Sequence, residues 1–134
     1  MNSLPKVLIV DKTRDRKTRL AAVKALGFAV YPALNLQEAR SRCRPGAYDL
    51  VVVNGTLEPE ACVAFCDQLR ERKPPQAVLL TVDDQAGIPN RDYIVANRAT
   101  ELAARVEALL RKQPAQAEAS EGQGREDMPV RAAA

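Results

Sequence analysis

The chain has 134 residues, 46% of them hydrophobic and 28% charged, with a formal net charge of +3. This is ordinary globular usage for one domain with a single core, and it excludes a wholly disordered chain. Aromatics make up 4% and histidine is absent, so the commonest general base and the commonest metal ligand are both missing, which removes most hydrolase and zinc-site chemistry. The three cysteines, Cys43, Cys62 and Cys66, are an odd number without close pairing and are expected as reduced thiols. No apolar run reaches the roughly 18 residues of a membrane span, and residues 1–5 are too short and too polar for a signal peptide. A cytoplasmic protein without membrane insertion is therefore expected.

Residues 6–11 (KVLIVD) form a short continuous apolar run ending on a carboxylate, the pattern of a strand buried on both faces. Leu20, Val23 and Leu26 then recur at helical spacing over 15–26, and Gly27 supplies the stop. A second strand is predicted over 28–31. Asn35 follows as the N-cap of a short helix with Leu36 and Ala39 inward, ending at Arg44-Pro45-Gly46. Residues 49–54 (DLVVVN) repeat the buried-strand pattern, and Pro59 opens a helix to about Arg72, closed by Lys73-Pro74-Pro75. Buried strands over 77–82 (AVLLTV) and 93–96 come next, and a last helix over 100–112 carries Leu102, Val106, Leu109 and Leu110 on one face.

Strands alternating with helices predict an α/β, doubly wound, five-stranded parallel sheet of flavodoxin-like type, with right-handed crossovers and working groups at the carboxyl ends of the strands. Those ends are Asp11, Asn54, Thr81 and Ala96. Only 83–92, with Gly87, Pro89 and Asn90, separates the last two strands. Parallel strands normally need a dozen connecting residues or more, so the fourth helix is predicted shortened or missing. The folded domain is expected over 1–112. Residues 113–134 carry almost no large apolar side chain and are expected as a disordered tail. Arg125 and Arg131 stand there against Glu118, Glu121, Glu126 and Asp127, which leaves the folded part mildly basic.

From 6 to 112 the sequence resembles the CheY-like receiver domain of two-component response regulators. KVLIVD with LAAVKALGF resembles that family's first strand, helix and following strand, YDLVVVN its third strand up to the phosphorylated position, and AVLLT and DYIVAN its fourth and fifth strands. The resemblance implies phosphorylation of an aspartate, with Mg²⁺ held by an acidic pair and a lysine neutralising the phosphoryl group. On this sequence the acidic pair falls on Asp11 and Lys12, the acceptor on Asn54, the phosphate-reading hydroxyl on Thr81 and the lysine on Ala96. An amide is a far poorer nucleophile than a carboxylate, and an ammonium repels a divalent cation. Glu58 also stands where the resemblance implies a proline, which here is Pro59. A degenerate pseudo-receiver follows, with Mg²⁺ binding lost, no catalytic residue and no cofactor.

Two readings are open for Lys12 and Asn54. Either they are exposed polar residues at strand ends, or the Lys12 ammonium fills the metal position and pairs with Asp11 and the Asn54 carbonyl. Thr81 and Tyr93 take the positions whose paired rearrangement reports phosphorylation in the family. Tyr93 is expected at a sheet edge with its hydroxyl in water.

Lys12, Arg14, Arg16, Lys17 and Arg19 crowd the start of the first helix, where positive charge opposes the helix dipole. They are either a solvated face or a docking face for an acidic protein surface. Val82 and Ile88 are expected near the rim of a sheet face uncovered by the missing helix, between the fourth and fifth strands, suited to docking or homodimerisation. Cys62 and Cys66 are spaced for one helix face but lack further zinc ligands. Asn54-Gly55 is a pair prone to deamidation, which would restore an aspartate at the acceptor position.

The expected function is a phosphorylation-independent interaction module in bacterial-type signalling or localisation, binding another signalling protein. The alternatives are a receiver-like protein answering a small ligand or unconventional phosphorylation, and a nucleic-acid accessory protein. Few aromatics and a modest positive charge argue against the last.

Overall fold

The computed structural model describes residues 4–56, 58–84 and 87–117, the stretch 112–117 by its backbone alone. The chain divides into two units, Met1–Ala104 and Arg105–Ala134, the break falling inside the last helix. The first holds five strands, β1 (Lys6–Val10), β2 (Ala29–Ala33), β3 (Leu50–Asn54), β4 (Val78–Val82) and β5 (Ile94–Ala96). Between them run α1 (Arg16–Lys24), α2 (Leu36–Arg42) and α3 (Pro59–Arg70), and α4 (Ala99–Ala117) begins there and supplies the described part of the second unit.

All pairings are parallel and the strand order is β2-β1-β3-β4-β5. This is the doubly wound arrangement expected from the alternation of elements. The continuous apolar runs of β1, β3 and β4 are buried along almost their whole length, because helices cover both faces of a parallel sheet. On one side the core gathers Leu8, Val51, Val53, Leu80 and Tyr93 against the inward stripe of α3, which is Cys62, Val63, Phe65, Cys66 and Leu69.

Local signals set the element ends. Gly27 takes φ +96°, a left-handed conformation that closes the turn after α1. Asn35 caps α2, its Oδ1 accepting from the Glu38 amide at 2.8 Å, and Glu38 reaches back to accept the Leu34 amide at 2.8 Å. Pro59 occupies the first turn of α3, where its missing N–H removes no helical bond.

β2 is an outer strand, paired among the described residues with β1 alone, and runs two residues further than predicted. Pro32 sits in it without an N–H, and its carbonyl accepts from Arg42 Nη1 at 2.8 Å. β5, the other outer strand, has three residues. Tyr93, predicted as its first residue, precedes it.

No helix lies between β4 and β5 among the described residues, in keeping with the predicted loss. The last helix continues to Ala117, beyond the predicted boundary at Lys112. Pro114 lies within this last stretch, which therefore runs on without one backbone donor. The expected tail from 118 onward lies outside the described residues. No helix among the described residues is long and apolar enough to cross a membrane.

Candidate functional site

Strand register brings the sequence-derived site residues to one end of the sheet. Asp11 directly follows β1, Asn54 ends β3 opposite Thr81 on β4, and Val82 pairs with Ala96 at the end of β5. Gly55 allows this approach. Its amide donates to the Thr81 carbonyl at 2.7 Å, and a Cβ there would lie 2.9 Å from Leu80 Cδ1.

Asp11 is buried and its carboxylate accepts four hydrogen bonds. Oδ1 takes the Thr13 amide at 2.9 Å and the Thr13 hydroxyl at 2.6 Å. Oδ2 takes Arg19 Nε at 2.7 Å and Asn54 Nδ2 at 3.2 Å. Arg19 extends the cluster, its Nη1 donating to Asp15 Oδ2 at 3.1 Å and its Nη2 to Asp15 Oδ1 at 2.8 Å and to the Thr13 hydroxyl. One guanidinium thus joins two carboxylates, one buried and one at the surface. Burial works to raise the Asp11 pKa, but the bonds from Arg19, Thr13 and Asn54 outweigh it and hold it below the usual carboxylate value. For Arg19, burial opposes the charge and the bonds to Asp15 and Asp11 win, raising its pKa further.

Asn54 is equally committed. While its Nδ2 serves Asp11, its Oδ1 accepts the Thr56 amide at 2.9 Å. Both the nitrogen and the oxygen of the Asn54 amide are thus bonded inside the fold.

Lys12 does not fill the vacated position. It is exposed and pairs with Glu58 at 3.4 Å, both lining a crevice together with Asp11 and Asn54. The cation inside is Arg19, which the sequence placed on a partner-binding surface. Its side chain is 4% exposed, because it precedes the core residue Val23 by one helical turn and shares its face. Arg14 and Lys17 are exposed and Arg16 is half-buried, donating to the Thr13 carbonyl at 2.9 Å.

Thr81 is buried and its hydroxyl has no hydrogen-bond partner among the described residues, while Ala96 is half-buried. Asn97 follows Ala96 and donates to Asp83 Oδ1 at 2.9 Å and to the Thr56 hydroxyl at 3.3 Å.

Tyr93 does not hold its hydroxyl in water. The residue is buried, and the hydroxyl donates to Asp67 Oδ1 at 2.7 Å. Asp67 also receives Arg91 in a fork at 3.1 and 2.9 Å, a contact that sequence reading missed. Val82 is likewise no rim residue, being 2% exposed. Ile88 is half-buried and folds back onto the core cluster that contains Val82 and Tyr93, so losing a helix has not bared that part of the sheet.

No family model and no curated protein matches this sequence. Solved structures do. A response regulator from Thermotoga maritima is 25% identical, with a TM-score of 0.63, over 81% of this chain and 99% of its own. An orphan response regulator of H. pylori is 21% identical, with a TM-score of 0.61, over 80% and 97%. An atypical orphan response regulator, described as having a phosphorylation-independent regulatory mechanism, is 22% identical, with a TM-score of 0.62, over 79% and 95%.

Topology and strand-end site define a doubly wound α/β domain of the flavodoxin-like class. Within that class the chain has the fold of the CheY-like receiver domains of response regulators.

Proposed function

We propose that this chain is a pseudo-receiver, a receiver-like signalling module that works through protein contacts without being phosphorylated. The observation that carries the reading is the Arg19 guanidinium held inside on Asp11 Oδ2 at 2.7 Å, beside an asparagine in the acceptor register.

The donor set does not fit the divalent cation of active receivers. Mg²⁺ demands near-octahedral oxygen ligation, and all four bonds to the Asp11 carboxylate are supplied by Thr13, Arg19 and Asn54. A fixed guanidinium would also repel the ion at short range. Phosphoryl transfer fares no better. The Asn54 amide is a poor nucleophile, the backbone donor at Thr56 is already engaged, and Ala96 offers no cation. The atypical orphan regulator with a phosphorylation-independent mechanism offers a precedent within the same fold.

An interaction module needs a presented surface, and exposed Arg14 and Lys17 provide positive charge beside the strand ends. They suit an acidic face on another signalling protein in the cytoplasm. Acetyl phosphate with Mg²⁺, followed by intact-mass analysis and a thermal melt, tests the first half of the reading. An unchanged mass and melting temperature are expected, whereas a phosphoryl adduct or a rise in melting temperature would overturn it. Affinity capture with the native protein and an Arg14→Glu/Lys17→Glu variant tests the second half. An acidic partner lost with the variant is expected, and DNA or RNA captured with steep salt dependence would replace it with the nucleic-acid reading.

A further inference from the structure

β5 is weakly integrated by its own pairing. It has three residues, pairs among the described residues with β4 alone, and is reached through a connection without a helix among its described residues. Short outer strands of this kind open locally unless something else ties them down.

The tie comes from one face of α3, where Val63, Asp67 and Arg70 recur at helical spacing. Asp67 accepts the Arg91 guanidinium at 3.1 and 2.9 Å and the Tyr93 hydroxyl at 2.7 Å. The Val63 carbonyl lies 3.4 Å from the same hydroxyl. Arg70 pairs with Asp92 at 2.6 Å and sets its guanidinium carbon 5.4 Å from the centre of the Tyr93 ring. Three consecutive residues, Arg91, Asp92 and Tyr93, are thus clasped by a single helix face, with Asp67 bonding two of them. Ile88 adds an apolar contact with the core cluster.

We propose that residues 87–93 form a latch closed by Asp67, and that the latch and β5 open together as one local unit while the rest of the sheet stays folded. Opening turns Tyr93 out of the core and uncovers β4, where Leu80 and Val82 lie in the same buried cluster. None of its bonds involves Asp11, Arg19 or Asn54, so it stands or falls separately from the phosphorylation-independent reading.

Native-state hydrogen exchange on the full chain tests this with Asp67→Asn. The reporters are the Leu80 amide, bonded to the Tyr93 carbonyl, and the Asn97 amide, bonded to the Val82 carbonyl. The references are the Asp49 and Val51 amides, bonded to the Lys6 and Ala77 carbonyls. The reporters are expected to exchange about tenfold faster in the variant while the references keep their rates. Equal acceleration of all four, or no change at the reporters, would overturn the latch. Should Asp67→Asn fail to fold, Arg91→Gln removes the fork while keeping the Tyr93 bond and is read by the same four amides, with a smaller but still selective acceleration expected.

Discussion

The Nε of Arg19 lies 2.7 Å from Oδ2 of Asp11, with the two side chains 4% and 2% exposed. The pair joins the second turn of α1 to the end of β1 and sets the charge balance of the strand-end site. Removing the cation alone would strand a carboxylate with three remaining neutral donors. Arg19→Met is expected to lower stability by about 3 to 5 kcal/mol, the scale for breaking a buried ion pair. Arg19→Lys should recover part of that, since an ammonium cannot reproduce the planar fork across Asp11, Asp15 and Thr13. Urea denaturation of the three proteins measures both effects.

Acid should loosen the same cluster. Arg19 is the main cause of the Asp15 carboxyl falling from the usual 3.8 to about 2, and Asp11 is also held low. Asp67 is lowered chiefly by its bond from Arg91. A carboxyl lowered in the folded state contributes its full stabilisation above its unfolded pKa and loses it as pH falls through the folded one. The melting temperature should accordingly be insensitive to these groups near neutrality and decline from about pH 4 towards pH 2. Asp15→Asn should flatten part of that decline, which melts at successive pH values would show.

The cysteines should be silent in the native state. Burial pushes the Cys62 thiol up to about 11 and raises Cys66 and Cys43 as well. Thiolate is the reactive form, so a chromogenic disulfide reagent at pH 8 is expected to react with the three thiols only after denaturant is added. Fast reaction of any one in the native protein would contradict its described packing.

Gly55 gives a steric prediction. A methyl group there meets Leu80 Cδ1 at 2.9 Å and the Thr81 carbonyl oxygen at 3.4 Å. Gly55→Ala should therefore destabilise by about 1 to 3 kcal/mol, the range for overpacking. The same closeness bears on deamidation, which requires the Gly55 nitrogen to attack the Asn54 side chain. That nitrogen donates to the Thr81 carbonyl and both ends of the amide are bonded. Asn54 should deamidate far more slowly in the folded protein than in a peptide of the same sequence, as aged samples read by mass spectrometry would reveal.

The fold was legible because its signals are local. Continuous apolar runs marked β1, β3 and β4, Asn35 and Pro59 marked helix starts, and the brevity of 83–92 marked the missing helix. The register that gathers Asp11, Asn54 and Thr81 followed from the strand ends. What escaped were side-chain directions set by partners distant in sequence. Arg19 looked like one more surface cation, although its spacing from Asp15 and Val23 carried a signal that it faces inward. Tyr93 and Val82 were misplaced for a related reason. Nothing local in 87–93 announces that Asp67, more than twenty residues earlier, accepts hydrogen bonds from both Arg91 and Tyr93.

Pro32 bears on behaviour at high concentration. A sheet whose outermost strand presents an unbroken row of amide donors and acceptors can template the addition of another chain. On the β2 side that row is interrupted twice at one residue, by the absent N–H of Pro32 and by the Arg42 guanidinium on its carbonyl. Fibril growth by strand addition is therefore disfavoured along that border of the sheet.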